Sequence, residues 1–194
     1  MSIKNICSKL VIGAGAIAIL IISSNSHAFG ETVTVNGSGQ GTDLTSAFSF
    51  DGVAPALSIV SSGKDNIGGT FKIQDVGEYS FTATSCTAPN GTAGTAFFLV
   101  QAAEVINYRH DQLYLRGTSA TGNSGCASST TPGTGSFGLT ETETVIGGTG
   151  KFANASGSIT FTVVGNGLAA PGNPPGALGS FGAFQYTTSG SVTF

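Results

Sequence analysis

Apolar and polar side chains alternate one by one along most of this chain, with the period of a strand. Phe71 and Ile73 alternate with Lys72 and Gln74, and Tyr79, Phe81 and Ala83 with Ser80, Thr82 and Thr84. Ile159, Phe161 and Val163 alternate with Ser158, Thr160 and Thr162. A period of two sends successive side chains to opposite faces, so each run predicts a half-buried strand. Further strands are predicted over 32–36, 44–51, 56–61, 69–74, 112–119, 135–145 and 181–194, separated by breaks containing Gly, Pro or Asn. Asp75-Val76-Gly77-Glu78 reads as the turn of the clearest hairpin. The run 96–108 has a composition that a helix would also accept. Its β-branched and aromatic ends, and the polar 109–111 that follow, favour a long strand. Segments 121–133 and 165–179 read as loops rich in Gly, Ser, Thr or Pro. Eight to ten short strands at near-regular spacing, with no convincing helix, predict an all-β sandwich or closed barrel.

The stretch 145–163, VIGGTGKFANASGSITFTV, is the most informative local sequence. Glycine tolerates positive φ and close backbone approach, so Gly147, Gly148 and Gly150 suit a tight corner. Phe152 and Ala155 can then fold back to plug the end of a sheet, with Gly157 leading into the next strand. The block resembles the GGTG-x-F-x-x-A-x-G signature of the dirigent and allene-oxide-cyclase-like β-barrels. It is more similar still to that of uncharacterised bacterial secreted proteins. The order of Cys86-Thr87-Ala88-Pro89-Asn90-Gly91, a long strand, Asp111-Gln112-Leu113-Tyr114 and Cys126 is also similar to those secreted proteins. The resemblance implies a single antiparallel barrel of about eight strands, a lumen that accommodates an apolar small molecule, and a trimer. It implies no catalytic residue at a particular position, because only the GGTG block matches the cyclases and dirigent proteins specifically.

The first 28 residues read as a cleaved signal peptide. Lys4 and Lys9 precede the apolar run 10–22, and Ser26-His27-Ala28 supplies small residues at the cleavage positions. At 13 residues the run is shorter than the ~20 needed to cross a bilayer as a helix. Residues 29–194 then form one barrel domain in a secreted or periplasmic protein. Export leaves five basic against ten acidic residues, which excludes a basic stripe for nucleic acid. Cys86 and Cys126 form an even pair in an oxidising compartment and predict a disulfide.

Candidate chemistry is sparse. Gly148-x-Gly150-x-x-Ala153 matches a dinucleotide fingerprint formally, but a strand follows at once and leaves no room for the helix that motif requires. A single histidine after residue 28, His110, defines no catalytic triad. Asp43, Asp51, Asp65 and Asp75 are too scattered for a calcium loop, so neither a metal nor a cofactor is expected. The densest polar segment runs from Glu104 to Arg116. It offers Glu104, Tyr108, Arg109, Tyr114 and Arg116 as ligand-orienting groups. Alternation places Gln112, Tyr114 and Arg116 opposite Leu113 and Leu115. The polar face orients a ligand if it lines a lumen and has no special role if it meets water. The expected function is binding of a small apolar molecule without hydrolytic activity, with a cyclase- or dirigent-like enzyme as the alternative. A third reading is a small outer-membrane barrel, suggested by the alternation of Phe184, Tyr186, Thr188, Gly190 and Val192 toward the terminal Phe194. Stable membrane insertion is not expected, because several predicted runs fall short of the ~10 residues that membrane strands need.

Overall fold

The structure, a computed structural model, describes residues 30–46, 49–50, 56–131, 134–168 and 181–194. The signal-peptide segment, part of the 44–51 run and most of the 165–179 loop lie outside them. Strands β1 (Thr32–Thr45), β2 (Ala56–Asp65), β3 (Thr70–Thr87), β4 (Ala93–Asn107) and β5 (Gln112–Thr118) come first. They are followed by β6 (Ser124–Thr131), β7 (Thr134–Gly148), β8 (Ser156–Leu168) and β9 (Phe181–Thr193). All pairings are antiparallel. Strands pair in chain order around the ring, except that β5 and β6 do not pair with each other, and β9 returns to β1 from Thr32↔Thr193 to Leu44↔Phe181. The nine strands occupy eight positions. β5 pairs with β4 at 101–107 and with β7 at 144–148, while β6 pairs with the same two neighbours further along, at 95–97 and 134–140. Together β5 and β6 act as one strand interrupted by a 3-10 turn at Ser119–Thr121. The result is the antiparallel eight-position barrel that the alternation pattern and the glycine block predict.

Several predicted breaks are strand interior, each for a visible reason. Residues 37–41, GSGQG, continue β1 because the inward glycines make room for large side chains on β9. A Cβ on Gly39 would sit 2.3 Å from the Tyr186 hydroxyl, and one on Gly41 would sit 2.7 Å from the Phe184 ring. Asp75-Val76-Gly77-Glu78 is not a hairpin turn but the middle of the 18-residue β3, paired to both β2 and β4. Asp75 keeps the inward parity of Phe71, Ile73 and Tyr79. Glu78 faces outward yet is fully buried, with Ser49 Oγ and Gln101 Nε2 donating to its two oxygens at 3.0 and 3.1 Å. A bulge places one extra residue on β4 between the pairs Glu78↔Gln101 and Tyr79↔Leu99. It brings both Leu99 and Ala102 to the buried side. The predicted loop 121–133 contains β6, and 96–108 is strand throughout its β4 portion.

The two ends of the barrel differ. At one end the apolar core gathers Val35, Phe71, Ile106, Leu113, Val145, Phe152 and Val192. Phe152, on the 3-10 turn Gly150–Phe152, is completely buried and meets Phe194 edge-on at 4.9 Å and Tyr108 at 5.2 Å. The corner around it tolerates little else. A Cβ on Gly148 would lie 2.1 Å from the Gln112 carbonyl oxygen, and Gly150 has φ +57° against Asp111. No helix starts there, so the dinucleotide fingerprint is a chance match. At the other end Cys86 and Cys126 form a disulfide, Cα–Cα 5.9 Å, and the lumen is open.

Candidate functional site: an acidic floor in an apolar lumen

A cavity of about 330 Å³ enters the barrel from the disulfide end. Its walls are mainly apolar and aromatic, with Leu57, Phe97, Leu139, Phe161 and Val163 among them. Asp75, Glu104 and Glu141 also line it, and Asp43 stands nearer the mouth. Glu143 lies behind them. Asp75 on β3 and Glu104 on β4 are direct cross-strand partners, an arrangement that ordinarily destabilises a sheet. Glu141 and Glu143 are two residues apart on the inward face of β7, between Leu139 and Val145. The glycine at Gly117 on β5 leaves room beside Glu143, since a Cβ there would press on Leu99 at 2.5 Å and approach Glu143 Oε1 at 3.2 Å.

These four carboxyl groups are at most 7% exposed. Single oxygens of Asp75, Glu104 and Glu143 all lie within 4.8 Å of one another. Asp75 Oδ1, Glu104 Oε1 and both oxygens of Glu143 are buried without a hydrogen-bond partner. Tyr79 donates to Glu141 Oε2 at 3.1 Å and packs edge-on against Phe97. Among the described residues every Lys, Arg and His is exposed, so no cation of the chain faces this cluster. Burial, reinforced by neighbouring carboxylates, pushes Asp75, Glu104 and Glu143 well above the usual carboxylate range. Burial brings Glu141 up to about 7, with the Tyr79 hydrogen bond opposing the shift, and brings Asp43 up to about 6 against a bond from the Gly182 backbone. The lumen is therefore an acid-lined site whose carboxyl groups hold their protons to higher pH than free carboxyl groups do. The three clustered oxygens could contact one cation, metal or organic.

Of the residues singled out from sequence, the structure brings only Glu104 to this site. Tyr108 is at the plugged end, where its hydroxyl donates to Asp65 Oδ2 at 2.5 Å and its ring packs against Phe71 and Phe152. Arg109 is exposed in the turn after β4. On β5 the inward residues are Leu113, Leu115 and Gly117. Tyr114 and Arg116 therefore face out, with the Tyr114 hydroxyl donating to Gln112 Oε1 at 2.9 Å. The polar 112–116 face meets the exterior rather than the lumen, because two leucines gain more from burial than Tyr and Arg. Gly147, Gly148, Gly150, Phe152, Ala155 and Gly157 all belong to the plugged end and its approach to β8.

Asp75, Glu141 and Glu143 were missed in the sequence, although their signal was present. Each is an acid at the parity of its strand's apolar residues: Phe71-x-Ile73-x-Asp75 and Leu139-x-Glu141-x-Glu143-x-Val145. Charged residues are rarely buried without a partner, so an acid in an apolar row marks a place where something else is needed. Neither a family model nor a curated protein nor a solved structure matches this chain.

Proposed function

We propose that this chain is an exported protein whose barrel lumen binds a small, largely apolar molecule. The observation that carries the reading is the 330 Å³ cavity, mostly apolar in its walls and furnished with a few convergent polar groups. An eight-position barrel has room for about one small ligand. The resemblance to dirigent and allene-oxide-cyclase-like barrels supports the same reading. Secretion or a periplasmic location is supported by the leader-like first 28 residues and by the disulfide. The exterior supports a water-facing barrel. Outward positions on β1, β2, β8 and β9 include Thr34, Ser38, Gln40, Ser62, Thr162 and Gln185, where a membrane barrel presents an apolar band. Strand length no longer bears on that choice, since most of the strands are 10 to 18 residues long.

Native mass spectrometry of the purified protein tests the reading by detecting a retained small molecule. A companion measurement compares an environment-sensitive apolar dye on the wild type and on Val163→Trp, which fills the cavity. Absence of a retained molecule together with equal dye binding by both proteins would sink the proposal. A cyclase- or dirigent-like conversion is the second reading, favoured by Glu141. Its pKa near 7 and its hydrogen bond from Tyr79 suit proton transfer to or from a bound apolar substrate. Release of a captured molecule chemically unchanged counts against it.

A further inference from the structure

The unpartnered carboxyl groups inside the lumen narrow the ligand class. We infer that the molecule held in the cavity is a small amphiphile with an ammonium head, seated on Asp75, Glu104, Glu141 and Glu143, and an apolar body extending toward the disulfide end. The inference rests on the lumen-binding reading and adds the chemistry of the ligand's buried end.

Three independent observations meet here. Asp75 Oδ1 and Glu104 Oε1 belong to cavity-lining side chains that are more than nine-tenths buried, and both lack a partner. They are aimed at space that a ligand can enter. The spacing fits an ammonium group. Acceptors around a tetrahedral –NH₃⁺ at charge-assisted hydrogen-bond distance stand about 4.6 Å apart, and the Asp75, Glu104 and Glu143 oxygens lie within 4.8 Å of one another. The aromatic side chains of Tyr79, Phe97, Phe161 and Tyr186 line the same cavity, a setting that favours a cation, while leucine and valine side chains suit a hydrocarbon body.

A bare divalent ion fits less well. A hard cation of this kind takes six or more oxygen ligands, or keeps much of its own water. Apolar side chains run directly up to the carboxyl groups here, and the strand carbonyls are engaged in the sheet ladder. A metal also leaves the apolar part of the cavity unused.

The test is isothermal titration of the full, disulfide-bonded protein with a matched set: hexylamine, 1-hexanol, hexanoate, and calcium or manganese chloride alone. Hexylamine should bind at least tenfold more tightly than hexanol, and hexanoate should not bind detectably. Glu104→Gln, and separately Glu141→Gln, should lower hexylamine affinity at least tenfold, and by more than they change hexanol affinity. These substitutions preserve shape and remove charge, and the wild-type comparison of amine with alcohol decides the matter without them. Equal affinity for hexylamine and hexanol would overturn the ammonium assignment while leaving the lumen-binding reading standing. Tight binding of the metal with none of the amine would replace the assignment with a metal site. Failure of every organic probe, with no retained molecule in the native protein, would overturn both readings.

Discussion

The plugged end and the open half of this barrel are built on the same strands, yet they treat burial in opposite ways. At the plugged end Phe152, Leu113, Val35 and Val192 are fully enclosed, and the buried acid Asp65 is well partnered. Asp65 accepts from the backbone of Ile67, Gly68 and Gly69 and from Tyr108, while Lys151 reaches the Ile67 carbonyl and stands 4.8 Å from the Phe152 ring centre. Toward the open end, the same strand faces carry Asp75, Glu104, Glu141 and Glu143, with four of their oxygens unpartnered. One half is optimised for stability, and the other gives up stability to keep an acidic cavity. Such uncompensated burial is a recurring mark of a site that does something besides hold the fold together.

The comparison can be broken most severely at the plug. Phe152→Ala should cost ~3–5 kcal/mol, measured by urea or thermal unfolding. A loss below about 1 kcal/mol would show that the plug is not the stabilising half. Replacing Cys86 and Cys126 together with Ser should cost ~2–4 kcal/mol by loop-closure entropy. In that variant lumen binding should weaken more than the plug loosens, as amide hydrogen exchange would report.

A change of pH probes the acidic half alone. Burial raises Glu141 to about 7 and Asp43 to about 6, above the ordinary carboxyl values they regain on unfolding. The folded state therefore binds more protons than the unfolded state between roughly pH 4 and 7. Their contribution to stability is greatest at the acidic end of that window and diminishes as pH rises through the folded values. The melting temperature should rise as pH falls from 8 to 5, by an equivalent on the order of 1–3 kcal/mol. A melting temperature that falls steadily over that range would remove the premise of a proton-holding lumen.

Glu143→Gln should stabilise the protein at pH 8 by about 1 kcal/mol, because it removes a carboxyl group that folding must take up a proton to bury. The gain should shrink at pH 5, and a loss of stability at both pH values would mean that Glu143 has a partner in solution. The smallest effect belongs outside the barrel. Arg116→Ala should change stability by no more than about 0.5 kcal/mol and leave apolar-dye binding unchanged. Weakened binding would return the 112–116 face to the site.

The chain's own pattern reached the fold class through Phe71-x-Ile73 and Ile159-x-Phe161-x-Val163, and it reached the plug through Gly148, Gly150 and Phe152. These features are local. A strand's parity and a glycine corner's backbone are written in adjacent residues, and the pairing of Cys86 with Cys126 follows from their being the only two cysteines after residue 28. What the neighbouring residues do not contain is what fills the space opposite them. GSGQG in β1 looks like a break until Tyr186 and Phe184 arrive from β9 to occupy the room its glycines leave. Asp75-Val76-Gly77-Glu78 looks like a turn until β2 and β4 pair with it on both sides. Likewise Tyr114 and Arg116 were chemically plausible ligand groups, but closure of the ring turned Leu113 and Leu115 inward. The acidic floor is the extreme case, since Asp75, Glu104 and Glu143 come from three strands as far as 68 residues apart in sequence. Sequence determined the strands, their two faces and the glycine plug, because those depend on period and backbone conformation. Only barrel closure decided that three inward acids would cluster, with no cation among the described residues between them.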